Sequence, residues 1–318
     1  GSFLSLGVLS QFVENMTAGR GWIAITVSLF AFERPIAAFI TALFFGLSGI
    51  FGKLALAAPI VIVFGRALFA VAALGLFTQR GAAQVRPNWQ RRLALAGAGL
   101  LLGGHWWSFF VAIKVAGVAV ATLGFASFPA FTVLLEGLLF KERVSRGEWA
   151  VVGLVCLGLT LVTPHFDFAS EATLGLAWAI LSGLLFALVS VSNRATTRGL
   201  HPAQAALWQN ISILLCSLPL AWGLLPGVRA LDWLWIALLG VLCTALAHSL
   251  FVASLRVLNA RSASVVFALE PVYGIAFAWW LFHEQPSLRM LCGGALIVLA
   301  TVLSARLSKH SPSVDDLS

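Results

Sequence analysis

Glu270 stands in the middle of an apolar stretch, immediately before Pro271, where an unpaired carboxylate is costly to keep. At such a depth a carboxylate can hold an amine or carry a proton. It can equally serve as the counter-ion of a buried cation, here Arg66 or Lys53. His105 and His248 also fall within apolar stretches. Their imidazoles can contact a carboxylate, relay protons, or simply satisfy a local hydrogen bond, and the sequence leaves all three open. Arg66 and Lys53 are read toward the outer ends of their spans. There a long basic side chain either draws an anion outward or, more simply, snorkels to the headgroups.

Deep aromatic and small polar side chains complete the candidate binding set: Phe45, Ser48, Trp106, Phe125, Phe128, Trp178, Ser182, Phe186 and Tyr273, beside His105, His248 and Glu270. An aromatic-walled pocket with a few oriented polar groups suits a flat hydrophobic solute, although apolar helices also use such rings as packing. Pro129 and Pro271 each delete one backbone hydrogen bond within a span, so both helices are expected to bend there as candidate hinges. Trp233, Trp235, Trp279 and Trp280 on one side, and Trp89 and Trp149 on the other, read as interfacial belts.

The elements that must position these groups follow from composition. The 318 residues are 60% hydrophobic and only 10% charged, with a mean hydropathy of +0.97. Helices so apolar all round belong in lipid. Spans are expected near residues 37–57, 60–78, 92–113, 118–139, 147–163, 172–193, 203–224, 232–254, 261–282 and 287–306. Ten spans place both ends of the chain on one side. Fifteen of the 20 basic residues fall on that side, three (Lys114, Arg229 and Arg289) on the other, and Lys53 and Arg66 within spans. The bias puts the termini in the cytoplasm of a multi-pass inner-membrane protein.

Residues 109–142 realign without a gap on residues 251–284, with nine of 34 pairs identical, among them Phe125/Phe267, Pro129/Pro271 and Glu142/Glu284. Each half then holds five spans, and an odd number inverts the second copy relative to the first, an arrangement that serves alternating access. The fold expected is all-α and integral to the membrane: ten helices in two inverted five-helix repeats around a central cavity. The first repeat covers 35–165 and the second 170–308, with a polar tail at 309–318. Residues 1–34 stand outside this scheme. They match nothing in the second half, begin Gly-Ser, and hold one apolar stretch, Trp22 to Phe32, too short to cross alone, so a cloning scar or an interfacial helix is expected. Small residues explain how such helices approach: Gly46, Gly49 and Gly52 in the first span, and Gly99 with Gly103 in the third.

From residue 39 to about 306 the chain resembles the drug/metabolite transporter superfamily, EamA type, and looks most like its YddG aromatic amino acid exporters. The likeness lies in Ala42–Leu56 (ALFFGLSGIFGKLAL), in Gly65-Arg66-Ala67-Leu68, in the twin endings Phe140-Lys141-Glu142 and Phe282-His283-Glu284, and in Gly153, Gly158, Gly293 and Gly294. That resemblance implies ten helices in two inverted halves, a cavity near the midplane, and export of metabolites from the bacterial cytoplasm. A second, shorter likeness, Met16 to Ile25 (MTAGRGWIAI), is to bacterial ABC-transporter permeases, which would make the chain a subunit working with a separate ATPase.

Other classes are excluded by what is missing. The chain has no mid-span Asp, no HExxH, no Cys/His grouping at ligand spacing and no GxxxxGK[ST] loop. Intramembrane hydrolysis, a metal centre and ATP hydrolysis within the chain are therefore not expected, and no cofactor is. The four cysteines lie in spans as small hydrophobes. The basic residues occupy short loops, not one patch, so nucleic acid is no partner; the partners expected are lipid and a small-molecule substrate, amino acids first.

Overall fold

The computed structural model describes residues 34–79, 87–139, 144–162, 170–196, 200, 202–247 and 260–307. Expectations about residues 1–33, the Lys141-Glu142 loop, His248 and the C-terminal tail lie outside the described residues. Among the described residues all regular structure is helical: α1 (Arg34–Leu54), α2 (Pro59–Gln79), α3 (Trp89–Phe125), α4 (Phe128–Leu139), α5 (Arg146–Val162), α6 (Glu171–Thr196), α7 (Pro202–Ala221), α8 (Ala230–Gly240), α9 (Ala260–Phe282) and α10 (Leu288–Leu307). Four stretches of these residues, Pro59–Leu76, Trp89–Phe125, Glu171–Asn193 and Ala203–Gly227, are long and apolar enough to cross a membrane.

The closest pairings join the first five helices to the last five: α3 with α6, α5 with α10, α2 with α7, and α1 with α9. Helix starts also recur close to the shift seen in the sequence, as at Trp89 and Ala230, or Arg146 and Leu288. Large apolar side chains are turned outward, among them Trp89, Trp149, Trp279 and Trp280, as a lipid-facing surface requires. Trp233 and Trp235 differ from that belt. They are half-buried, Trp235 stacking on Phe51 at 5.9 Å and Trp233 standing edge-on to Phe69 at 6.4 Å.

Helix α3 is two limbs joined at Gly117, whose φ of 83° and ψ of 174° are open only to glycine. The chain turns back there. His105 meets Ser182 on α6, Ala116 lies against Gly175, and Ser127 lies against Gly183, so the two limbs pass α6 in opposite directions. Of the glycines read as packing faces, Gly46 and Gly99 lie close to a neighbouring backbone, whereas Gly49, Gly52 and Gly103 receive side chains. A Cβ on Gly46 would lie 2.7 Å from Tyr273 Cβ, one on Gly49 2.8 Å from Val118, and one on Gly99 2.6 Å from the Gln209 carbonyl of α7.

The two prolines are not equivalent. The helix breaks at Ala126–Ser127, and Pro129 is the second residue of the new helix α4, in a first turn where a missing N–H costs nothing. Pro271 instead sits inside α9, which continues through it.

Candidate functional site

A cavity of about 340 Å³ occupies the middle of the bundle, within the size range of small-molecule sites. Its apolar wall is an interlocked ring cluster. Phe125 stacks on Phe128 at 5.4 Å, and Phe186 stands edge-on to both, at 5.4 and 5.3 Å. The His105 ring lies 5.0 Å from Phe125 and 5.0 Å from Phe186. Phe125 and Phe128 flank the break at Ala126–Ser127, three residues apart, while α6 delivers Phe186 from the other half. Phe45, Ser48, Trp106 and Glu270 line the same space. Toward the end of the bundle that carries Arg91, the wall becomes polar: Asn193, Gln209 and Asn210 contribute amides, with Gln209 Nε2 donating to Asn193 Oδ1 at 2.6 Å. Asn210 Nδ2 donates to the Ala206 carbonyl at 2.9 Å, which leaves its buried Oδ1 without a hydrogen-bond partner among the described residues.

Arg66 is the main departure from the sequence reading. Expected to snorkel outward, it is only 6% exposed and lines the cavity. Three contacts turn it inward. Its Nε donates to Thr244 Oγ1 at 2.7 Å, its guanidinium carbon lies 4.0 Å from the centre of the Trp106 ring, and Phe110 is 5.9 Å away. Thr244 belongs to a π-helical turn, Val241–Leu246, and its hydroxyl donates to the Leu239 carbonyl at 3.0 Å, leaving a lone pair for Arg66. Glu270 borders the same cavity, yet no hydrogen bond or ion pair joins it to Arg66 among the described residues.

The tautomer of His105 follows from its partner. Nδ1 lies 3.1 Å from the Ser182 carbonyl and 2.8 Å from Ser182 Oγ, while that hydroxyl donates to the His105 carbonyl at 3.2 Å. A carbonyl only accepts, so in the neutral ring Nδ1 carries the proton and Nε2 remains an acceptor. Neutral His105 is thereby a poor partner for an anion.

The opposite end of the bundle is tied by three contacts at the end of α1. Lys53 pairs with Glu284 of the α9–α10 connection. The Lys114 ammonium donates to the Ala55 carbonyl. Asp232 Oδ1 accepts from the Leu56 N–H at 2.9 Å and is clasped by Arg229 at 2.7 Å. The Asp232 hydrogen bonds raise the Arg229 guanidinium above its ordinary value.

Of the candidate binding set read from sequence, eight face one cavity: Phe45, Ser48, His105, Trp106, Phe125, Phe128, Phe186 and Glu270. Ser182 sits behind the wall as the partner of His105. Trp178 packs edge-on against the outward-facing Trp107 at 5.4 Å, and Tyr273 packs on Gly46. Sequence reasoning passed over Asn193, Gln209 and Asn210. They lie on α6 and α7, far apart in the chain, and only the folded bundle brings them to one wall, where Gln209 bonds Asn193.

The profile of the EamA-like transporter family matches residues 35–163 and again 173–306. An uncharacterized transporter of Archaeoglobus fulgidus is 30% identical over 200 residues, 63% of this chain and 71% of its own length. The pseudopaline exporter CntI of Pseudomonas aeruginosa is 27% identical over 207 residues, covering 63% and 70%. The S-adenosylmethionine uptake transporter of Rickettsia conorii is 27% identical over 210 residues, covering 64% and 68%. One solved crystal structure superposes with a TM-score of 0.62 over 88% of this chain and 99% of its own, at 20% identity, a likeness of fold.

Proposed function

The chain belongs to the EamA-like transporter family, a multi-pass membrane carrier of a small molecule and not an enzyme, and on that premise we propose that it exports aromatic and hydrophobic amino acids from the bacterial cytoplasm. One observation carries the reading: a cavity walled by Phe125, Phe128 and Phe186 that also presents the Glu270 carboxylate. An apolar side chain suits the rings and an ammonium suits the acid, an arrangement that favours a small amine-bearing solute over an ion or a sugar.

Transport proceeds by alternating access between two inverted halves, 35–165 and 170–308. Two observations support this. The main helix pairings run between those halves, and the ties at Lys53, Lys114 and Asp232 lie at one end of the bundle while the polar wall of the cavity leads toward the other. On the basic-residue bias, the tied end is external and the polar wall cytoplasmic, so the cavity is poised to load from inside. Breaking the ties and repacking α1 against its neighbours then exposes the cavity outside. Pro129, beside the break, and Pro271, inside α9, serve as the bending points.

The relatives act on different solutes, pseudopaline in one and S-adenosylmethionine in another. That diversity favours a second reading within the same class, export of another small metabolite. Counterflow of labelled phenylalanine, tryptophan, methionine and threonine in proteoliposomes tests the assignment, with saturable uptake of at least one expected. Failure of all four to move or compete ends the amino acid reading.

A further inference from the structure

The cavity holds a buried guanidinium that structural needs do not account for. Arg66 is set among the lining residues, and Thr244 engages its Nε–H. Among the described residues no carboxylate bonds its two terminal amino groups. A buried cation kept for architecture alone is ordinarily paired with an acid, and in this molecule even the part-exposed Lys53 at the end of the bundle is bonded to Glu284. Arg66 is instead held from behind and below. Thr244 fixes one edge of the guanidinium and Trp106 supports its face at 4.0 Å, leaving the planar fork for a ligand.

We propose that Arg66 is the carboxylate-recognition residue of the cavity, with the Glu270 carboxylate that lines the same cavity taking the ammonium, so that the site selects zwitterions carrying an apolar side chain. This rests on the transport reading and deepens it by naming the charge pattern of the solute. Neutral His105 cannot replace Arg66 in this role, since its Nδ1–H is committed to Ser182 and its Nε2 is an acceptor. The charge balance of the cavity argues the same way. One guanidinium and one carboxylate not bonded to each other are both satisfied by one zwitterion, whereas a plain amine or a plain acid leaves one of them unpaired.

The test uses the full chain in detergent and three probes: L-phenylalanine, phenylalaninamide, which lacks the carboxylate, and 3-phenylpropionate, which lacks the amine. In wild type, phenylalanine binds about tenfold to a hundredfold tighter than either analogue. In Arg66→Gln the preference for phenylalanine over phenylalaninamide collapses to within about threefold, while in Glu270→Gln it is the preference over phenylpropionate that collapses. Arg66→Lys, which keeps the buried charge if the glutamine variant does not fold, loses about threefold to tenfold of that preference because the fork is gone. An unchanged preference in whichever of these variants folds overturns the role of Arg66 and leaves the transport reading standing. If wild type binds phenylpropionate in an Arg66-dependent way but neither phenylalanine nor its amide, the amino acid reading falls and Arg66 keeps its role. If it binds no carboxylate at all, both fall.

Discussion

The Glu284 carboxylate reaches from the α9–α10 connection to the turn of α3, where its two oxygens accept from the Val118 and Ala119 N–H groups at 3.2 Å each, while also pairing with Lys53 of α1. One side chain therefore caps the returning limb of α3 and binds it to two further elements, a use of the positive end of a helix reinforced by an opposite charge. Glu284→Gln keeps one oxygen acceptor but loses the ion pair. Thermal unfolding is expected to fall by about 1 kcal/mol, and a double cycle with Lys53→Met should assign about half of that to the pair. Complete additivity in the cycle would show that Lys53 and Glu284 do not act together. In liposomes the same variant should expose a cysteine placed behind the tie to impermeant external reagents more often than wild type.

Gly117→Ala is expected to be worse than an ordinary glycine change. Its backbone is at φ 83°, and an added Cβ would meet the Glu284 carboxylate at 2.9 Å, so the substitution both strains the turn and expels its cap. A loss of about 1–3 kcal/mol follows from the backbone alone. Wild-type melting of Gly117→Ala would remove the turn from the account.

Glycine contacts in the bundle should grade with distance. A Cβ on Gly99 would sit 2.6 Å from the Gln209 carbonyl, which cannot yield without moving α7, whereas one on Gly103 would sit 3.3 Å from the Ile213 side chain, which can turn away. Gly99→Ala is expected to cost about 1–3 kcal/mol and Gly103→Ala less than 1, read from detergent melts of the two variants. The reverse order would mean that α3 and α7 meet through a different face.

Phe186→Ala removes a ring that contacts both Phe125 and Phe128 and borders the cavity. Phenylalanine affinity should drop about tenfold while smaller threonine loses less, because the lost ring area is that facing the substrate side chain. Equal losses for both solutes would place the substrate elsewhere.

The sequence by itself determined the class of solvent, the apolar helices and the doubled pattern that the family profile matches twice, because hydropathy and spacing are local properties that lipid enforces on each helix. It also pointed to Phe125, Phe128, Phe186 and Glu270, since an acid or a ring cluster in an apolar run stands out wherever it falls. Only the tertiary structure decided the direction of Arg66, which the snorkelling argument sends outward and which Trp106 and Thr244, distant in sequence, hold inward. The same holds for the amide wall of Asn193, Gln209 and Asn210, and for the partner of Lys53. Those outcomes depend on which faces of separate helices meet, and a periodic apolar sequence that is hydrophobic on every side carries no signal of which face that will be.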